Sequence, residues 1–281
     1  MPDRSLFSRL LTYAVLVLGV AIVAFPVWVT FVASTQTLDQ VMAVPMSLAP
    51  GDRFLQNYAE VLASGAGNSG APVTRMMLNS LIMALAIALG KIAISLLSAF
   101  ALIYFRFPFR QTAFWLIFVT LMLPVEVRIM PTYQVMSDLG LLDTYAGLTL
   151  PLIASATATF LFRQFFMTVP DELAEAAKID GAGPMHFFWH VLLPLSRTSI
   201  AALFVIQFVY GWNQYLWPLL VTTQESMYPV VIGLKRMISG GDAAIEWNLV
   251  MATAVLAMLP PVAVVVLMQK WFVKGLVESD K

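Results

Sequence analysis

The chain has 281 residues, of which 60% are hydrophobic and only 11% are charged, and its mean hydropathy is +0.83. A soluble domain is about 25% charged, so this chain has too little polar surface for a water-soluble globule, and the bilayer must be its solvent. Sixteen Lys and Arg balance sixteen Asp and Glu, which leaves no basic field to attract nucleic acid. The absence of cysteine excludes disulfides, thiolate metal sites and cysteine nucleophiles.

Apolar runs of about 20 residues predict six transmembrane helices within a single all-α membrane domain, 1-281. The runs are 11–33, 77–105, 113–133, 147–167, 199–221 and 249–271. The first run follows Arg4 and Arg9, as the apolar part of a signal peptide would, but it is longer than the ~7–15 residues of such a segment. It is therefore predicted to be an uncleaved membrane anchor.

Basic residues predict the orientation of the chain. With the N-terminus inside, ten Lys and Arg fall in inner segments and five in outer segments, while Lys91 lies within a span. The inner set is Arg4, Arg9, Arg106, Arg110, Arg163, Lys178, Arg197, Lys270, Lys274 and Lys281, and the outer set is Arg53, Arg75, Arg128, Lys235 and Arg236. The positive-inside rule therefore predicts that both termini are cytoplasmic. The outer segments 34–76 and 222–248 are expected to be loops with short helices.

A compact charged insert lies between the predicted fourth and fifth spans, with five charges within residues 171–180. Thr168 is a candidate N-cap for a helix in this insert, because an acid follows three residues later and Pro170 suits a first turn. Asp180-Gly181 is expected to end that helix, since glycine readily adopts the left-handed conformation of a helix stop.

A second short helix is predicted to open at Gly183-Pro184 and to break at Pro194, which makes the insert a small helix-turn-helix on the cytoplasmic face, the loop 168-198. On its first helix, several side chains can share one side that a partner surface could approach closely. These are Leu173, Ala176, Ala177 and Asp180. A solvated connector is the alternative interpretation, because most charged loops serve that role.

The insert resembles the EAA motif of the permease subunits of binding-protein-dependent ABC importers. The stretch EAAKIDGAG has Gly181 six residues after Glu175, and VLLPL follows in register. The resemblance implies that the loop is a coupling helix, which docks on an ATP-hydrolysing subunit and transmits its closure to the spans. The coupling residues that it implies are Glu175, Ala176, Ala177, Asp180, Gly181, Leu193 and Pro194. One departure is Thr198, which stands where many relatives have a final proline.

Further segments extend the resemblance over most of the chain. Asn79-Ser80, FRFPFR and YGWNQYLWPLL are similar to the carbohydrate-type branch of these permeases, while TLMLPVEVRIMPTY, TYAGLTLPLIASATATFLFRQFFMTVPDEL and MQKWFVKGLV are similar to the sn-glycerol 3-phosphate importers. The resemblance implies a type I ABC importer permease in the bacterial inner membrane that passes sn-glycerol 3-phosphate, or glycerophosphodiesters, to the cytoplasm. Implied partners are a second permease subunit in a heterodimer, two ATP-binding subunits and an extracytoplasmic substrate-binding protein. A neutral sugar or oligosaccharide stays the alternative substrate, because importers of such compounds share most of these motifs.

A phosphate-binding loop of the Walker A type is missing from the sequence. Such a loop needs Gly-x-x-x-x-Gly-Lys-Ser/Thr so that backbone amides and the lysine can hold phosphates. Gly90-Lys91 is the one Gly-Lys pair, and it has Leu85 at the first glycine position and Ile92 after the lysine. The chain is therefore predicted not to be an enzyme and to hold no cofactor, with ATP-Mg bound by the partner ATPase.

Metal chemistry is an alternative that the two histidines raise. His186 and His190 are four residues apart, as the ligands of His-Glu-x-x-His proteases are. Phe187 follows the first histidine in place of the glutamate that acts as general base, and no third ligand is evident. The sequence therefore predicts no metal site.

An ATP-independent secondary transporter is the third class considered, and it would need ionisable residues within the spans. The candidates are Lys91, Glu126 and Arg128, which are few and form no relay along one helix. For an anionic passenger, Arg128 is the first choice of contact, with pairing to a carboxylate as its structural alternative. Glu126, Asn213 and Gln214 complete the candidate substrate path, although Asn213 and Gln214 can equally hydrogen-bond between helices.

Overall fold

The computed structural model describes residues 6–65, 71–120, 123, 125–239 and 245–278. Within these ranges all regular structure is helical, as predicted. The α-helices are α1 (Leu6–Ser34), α2 (Leu38–Met42), α3 (Phe54–Ala63), α4 (Val73–Tyr104), α5 (Arg110–Val119), α6 (Val125–Asp138), α7 (Tyr145–Thr149), α8 (Ala156–Phe166), α9 (Asp171–Ile179), α10 (Pro184–Phe187), α11 (Leu193–Leu195), α12 (Arg197–Trp212), α13 (Leu216–Val221), α14 (Val230–Ile238) and α15 (Trp247–Glu278). A 3₁₀ turn, Leu150–Leu152, follows α7, and a π-helical turn, Phe188–Leu192, joins α10 to α11.

Three of these helices are long and apolar enough to cross a membrane. They are the segments Leu10–Ser34, Val73–Tyr104 and Trp247–Trp271, which correspond to the predicted first, second and sixth spans. The apolar side chains of α1 are largely exposed, for example Val23 at 75%. Lipid or a protein surface in the membrane can cover such a face without the cost that water would impose.

Two further helix pairs are long and apolar enough only when taken together. Tyr145–Leu152 with Ala156–Phe166, bent by 49°, corresponds to the predicted fourth span. Pro184–Leu195 with Arg197–Trp212, bent by 73°, begins within the charged insert and covers only part of the predicted fifth span. Three to five spans therefore follow from helix length and composition in the described residues, and six stays a prediction. The predicted third span is covered by α5 and α6, although residues 121, 122 and 124 lie outside the described part.

The chain divides into two compact units, the first formed by Met1–Arg75 and Gly233–Leu259. In this unit the residues that follow α1 are buried around Asn57. The Asn57 amide nitrogen donates hydrogen bonds of 2.9 Å to the carbonyls of Ser34 and Gln36, and its oxygen accepts one of 3.3 Å from Asn248. One buried amide therefore satisfies the backbone where the long helix α1 ends.

The second unit, Met76–Ile232 and Pro260–Lys281, is organised around α4. Two apolar clusters of buried side chains lie along this helix. The first cluster, called the inner cluster, contains Ile92, Leu96, Ala99, Phe100, Phe162, Phe166, Phe187, Phe188, Leu192 and Leu203. The second, called the outer cluster, contains Met83, Ile87, Met136, Leu148, Trp217, Val221 and Met227.

Small residues set the distance between α4 and its neighbours in this unit. A Cβ on Gly211 would lie 2.9 Å from the Cα of Ala84, and a Cβ on Gly90 would lie 2.7 Å from Cγ2 of Ile153. Helices in membranes commonly use small residues to let backbones approach closely. The packing of α12 against α4 therefore depends on the absence of a side chain at Gly211.

Candidate functional site

The charged insert folds as the predicted pair of short helices, beginning with α9. Asp171 and Glu172 lie in its first turn and Lys178 in its last, where each charge is favoured by the helix dipole. The predicted N-cap is wrong: the hydroxyl of Thr168 donates a 2.7 Å hydrogen bond back to the carbonyl of Phe165, and Pro170 occupies the N-cap position without a side-chain hydrogen bond. Thr168 therefore satisfies a carbonyl at the end of α8, because that carbonyl lacks a partner within its own helix.

The end of α9 confirms the role predicted for Gly181. This glycine has φ +79°, its amide donates to the carbonyl of Lys178 at 3.0 Å, and the amide of Ala182 donates to that of Ala177 at 2.8 Å. These two bonds form a Schellman motif, which needs a left-handed residue after the C-cap. A Cβ on Gly181 would meet no atom within 4 Å, so backbone conformation alone makes glycine the suitable residue there.

The two faces of α9 differ in what they contact. Ala174 and Ala177 are half-buried and pack against the inner cluster. The prediction that Ala177 lies on the free side of α9 is therefore wrong, because Ala177 faces the inner cluster of its own chain. Leu173 is 39% exposed and Ile179 is 86% exposed, and Glu175, Ala176 and Asp180 are exposed as well. The free surface of α9 therefore combines apolar side chains with carboxylates.

The second helix of the insert begins at Pro184, as predicted, and continues further than expected. It runs through the π-helical turn Phe188–Leu192 and α11, so the predicted break at Pro194 is wrong. The chain bends instead at Ser196, whose hydroxyl is buried and donates to the carbonyl of Leu192 at 2.6 Å. A proline in a regular helix clashes with the carbonyl four residues earlier, and the wider π turn immediately before Pro194 changes that spacing.

Aromatic side chains connect the insert to α4. The ring centroids of Phe188 and Phe100 are 4.9 Å apart, and those of Phe187 and Tyr104 are 5.2 Å apart. Leu193 also packs against the inner cluster, which includes Phe162 of α8 and Leu203 of α12. The insert is therefore packed directly against α4, α8 and α12.

The two histidines are stacked on the exposed side of the second helix. Their ring centroids are 4.0 Å apart, and Nδ1 of His190 is 3.0 Å from the carbonyl oxygen of His186. In the described part of the chain, no group of three or more His, Cys, Asp or Glu side chains is placed to hold a metal ion. Trp189 beside them is 56% exposed and adds to the apolar surface of the insert.

Arg128 of the candidate substrate path lies on α6 with an exposed side chain. Its carbonyl accepts a 2.7 Å hydrogen bond from the hydroxyl of Thr132, next to Pro131, which has no amide hydrogen to continue the helical pattern. The side chain of Glu126 lies outside the described part of the structure.

Asn213 and Gln214 lie at the break between α12 and α13. The Asn213 amide donates to the carbonyl of Val209 at 3.0 Å, and the Gln214 amide donates to that of Tyr210 at 3.1 Å. Both side chains thus cap carbonyls at the end of their own helix, where partners are lacking. No hydrogen bond found between described residues joins either side chain to Arg128.

Lys91 is buried in α4 and finds its partners within the same chain. Its Nζ donates to Oε1 of Gln207 at 3.1 Å and lies 3.6 Å from the ring centroid of Tyr210. Both partners, an amide carbonyl and an aromatic face, come from α12.

Two polar residues that sequence analysis did not assign to the site tie the segment after α13 to the rest of the unit. Asp143 accepts hydrogen bonds from Thr223 and Gln224. Asn79 donates to the carbonyls of Ser226 at 2.8 Å and Tyr228 at 3.1 Å. The pair Asn79-Ser80 was noted only as part of the resemblance, and no local signal marks Asp143, because its partners lie about 80 residues away.

Comparison with known proteins gives a family and a fold. The model of the family "Binding-protein-dependent transport system inner membrane component" matches residues 91–278. The sn-glycerol-3-phosphate transport system permease protein of Agrobacterium fabrum is 62% identical over 282 residues, with 100% of both chains covered. The protein of the same name from Brucella melitensis is 60% identical over 282 residues, again with 100% of both chains covered. The one from Yersinia enterocolitica is 59% identical over 269 residues, with 96% of each chain covered.

A solved structure has a chain with a similar architecture and lower sequence identity. It is described as a bacterial ABC transporter involved in the import of the acidic polysaccharide alginate, and one of its chains matches with a TM-score of 0.83 at 22% identity, covering 97% of this chain and 100% of that one. At this identity the likeness concerns the fold. Because the family match spans more than half of the chain and the relatives span nearly all of it, the resemblance predicted from the EAA segment is confirmed. The chain belongs to the family of inner membrane components of binding-protein-dependent transport systems.

Proposed function

We propose that this chain is the membrane-spanning permease subunit of an ABC importer that carries sn-glycerol 3-phosphate into the cytoplasm. The observation that carries the proposal is the 62% identity to the sn-glycerol-3-phosphate permease of Agrobacterium fabrum over the whole of both chains. A Schellman-capped α9 in the EAA segment supports the importer mechanism independently of the substrate.

The proposed assembly follows from what the chain lacks. Its sequence has no Walker A loop, so ATP-Mg belongs to partner subunits in this proposal. We expect a heterodimer with a second permease subunit, two ATP-binding subunits on the cytoplasmic side and a substrate-binding protein outside. The chain would cross the inner membrane several times with both termini cytoplasmic, in keeping with the excess of Lys and Arg in the segments assigned to that side.

The insert is the proposed coupling element. Its free surface contains the exposed side chains of Glu175, Ala176 and Asp180, flanked by the apolar Leu173 and Ile179. A surface that exposes apolar side chains next to charged ones can serve as a protein interface. Gly181 sets the turn, Ala177 and Leu193 pack on the inner cluster, and Pro194 follows Leu193 in the second helix.

Transport in this proposal uses alternating access. ATP closes the ATPase dimer, the coupling element moves with it, and the inner cluster passes the displacement to α4, α8 and α12. The passenger crosses beside Arg128, with Glu126, Asn213 and Gln214 along the path. The end of α12 at Asn213, within the predicted fifth span, supports this route, because transporter sites are typically formed where membrane helices are discontinuous.

The test is ATP hydrolysis by the whole complex in proteoliposomes, with its binding protein and either sn-glycerol 3-phosphate or a neutral disaccharide added. Stimulation by the phosphate ester alone is the expected result. Stimulation by the disaccharide alone would still support a role as an importer permease but would contradict the proposed substrate. Hydrolysis and uptake that persist when this chain is omitted would contradict the proposed role in coupling.

A further inference from the structure

Lys91 carries a positive charge into the middle of the longest buried helix of the second unit. It lies well inside the 32-residue helix α4, and its side chain is only 6% exposed. Ionisable side chains within membrane spans are costly and commonly serve a function. Among the described residues, the burial of the charged Lys91 side chain is therefore the feature that most needs a functional explanation.

The partners of Lys91 are neutral. The amide oxygen of Gln207, at 3.1 Å, accepts a hydrogen bond from the ammonium group, and the ring of Tyr210, at 3.6 Å, offers its electron-rich face. Both stabilise a cation, yet neither cancels its charge. Where side chains are described, no carboxylate lies within ion-pair distance of Nζ, so no described side chain neutralises this charge.

The helices around Lys91 are closely packed. Gly211 brings α12 against the backbone of α4 at Ala84, and Gly90 lies against the side chain of Ile153. A long lysine stem usually carries the ammonium group toward water when it can. Here Gln207 and Tyr210 hold it between α4 and α12.

The proposed contact of the passenger supplies a second cation, because Arg128 is exposed on α6. Tyr210, which covers the ammonium group of Lys91, is itself 38% exposed. The ring of Tyr210 therefore lies between this ammonium group and the surface of the chain. Charges are weakly screened where water is scarce, and two like charges attract a divalent anion more than either does alone.

We infer that Lys91 is a specificity-determining residue that makes the passage beside α6 and α12 selective for a phosphate monoester dianion, Arg128 contacting the phosphate and Lys91 acting through its field. A phosphate monoester carries about −1.5 to −2 charges at pH 7, which matches two cations. The inference rests on the proposed function and adds to it the charge state of the passenger and the residue that selects it.

The test compares three changes at this site in the whole complex. Lys91→Met removes the charge and keeps an apolar stem. Lys91→Arg keeps the charge. Gln207→Glu leaves Lys91 in place and puts a carboxylate of nearly the same shape 3.1 Å from it, which cancels the field and strengthens the contact. Lys235→Met, at an exposed position on α14, is the matched control.

Expected results are a loss of at least tenfold in sn-glycerol 3-phosphate uptake for Lys91→Met and Gln207→Glu, and uptake within threefold of the wild type for Lys91→Arg and Lys235→Met. Co-purification with the partner subunits measures assembly. A purely structural lysine would tolerate Gln207→Glu, since the ion pair holds α4 and α12 together at least as well. Wild-type uptake by an assembled Gln207→Glu complex would therefore overturn the inference, even if Lys91→Met failed to fold.

The wild-type complex separates this inference from the proposed function. Uptake of a neutral sugar in place of the phosphate ester by the wild type would contradict the proposed function and the inference together. If the wild type takes up the ester and both Lys91→Met and Gln207→Glu take it up equally well, the inference alone is contradicted.

Discussion

Asp143 and Thr223 are joined by two hydrogen bonds of 2.6 Å, one from the backbone amide and one from the hydroxyl of Thr223 to the two carboxylate oxygens. The amide of Gln224 adds a third at 2.9 Å, and the amide of Asp143 donates to the carbonyl of Val221 at 2.9 Å. This clasp fixes the segment after α13 to the turn before α7. In the predicted orientation it lies at the outer side of the membrane, where a binding protein would dock.

The clasp gives the first prediction. Asp143 has φ +53°, a conformation that asparagine tolerates and alanine does not. Asp143→Asn therefore replaces one carboxylate oxygen without adding backbone strain. We expect Asp143→Asn to lower the midpoint of thermal unfolding in detergent modestly, as the loss of one exposed hydrogen bond of about 1 kcal/mol would. Asp143→Ala should lower it further. Equal midpoints for all three proteins would show that the clasp adds no stability.

The pKa of Asp143 gives a pH dependence. Burial raises the pKa of its carboxyl, but the hydrogen bonds from Gln224 and Thr223 lower it more, so its pKa lies below the usual 3.8. Because the folded-state pKa is below the unfolded one, the clasp contributes its full stability above about pH 4 and loses it as the pH falls through the folded pKa. The difference in unfolding midpoint between the wild type and Asp143→Asn should shrink as the pH falls below about 4. A constant difference would contradict this account.

Gly181 and Gly183 form a matched pair in the coupling element. Gly181 has φ +79° and Gly183 has φ −70°, and an added Cβ at either position would meet no atom within 4 Å. Gly181→Ala should therefore cost roughly 1–2 kcal/mol of local strain, while Gly183→Ala should cost little. We expect substrate-stimulated ATP hydrolysis to fall severalfold in Gly181→Ala and Gly181→Val and to be kept in Gly183→Ala.

Membrane insertion is the control for the Gly181 variants, since the turn lies outside the spans. Comparable amounts of each variant in the membrane would locate the defect in coupling. Full transport by Gly181→Val would count against the docking role of this turn.

The contact between α4 and α12 can be tested at Gly211. A Cβ there would stand 2.9 Å from the Cα of Ala84, whereas one at Gly19 on α1 would meet nothing within 4 Å. Gly211→Val should therefore separate the helices at a cost of about 1–3 kcal/mol or more, and Gly19→Ala should not. The measurement is the unfolding midpoint together with uptake, and an unchanged midpoint for Gly211→Val would show that the contact is looser than the structure indicates.

Arg128 is the candidate for direct contact with the passenger. Arg128→Gln keeps hydrogen-bonding capacity and removes the charge, so we expect at least a tenfold loss of phosphate ester uptake with the complex still assembled. Lys235→Gln, at an exposed position on α14, should leave uptake near the wild-type value. Loss of assembly in Arg128→Gln would favour the alternative, a structural ion pair with a carboxylate of this or the partner permease.

Local features of the fold could be predicted from sequence because each depends on neighbouring residues. The apolar runs at 11–33, 77–105 and 249–271 became long helices, and Asp180-Gly181 became the predicted helix end. The cap predicted at Thr168 is wrong because α9 begins at Asp171, two residues too late for Thr168 to cap it. The hydroxyl of Thr168 donates instead to a carbonyl at the end of α8. The helix break predicted at Pro194 lies at Ser196 in the structure, because the π turn before Pro194 accommodates the proline.

The sequence by itself determined that the bilayer is the solvent, where the long helices run and which loop carries the EAA motif, because hydropathy and helix-end chemistry act over a few residues. Only the tertiary structure decided the partners of buried and polar groups. Lys91 meets Gln207 across 116 positions, Asn79 meets Tyr228 across 149 and Asp143 meets Thr223 across 80. A buried polar group must be satisfied by whatever the packed helices bring beside it, and that depends on how glycines such as Gly211 let the helices approach.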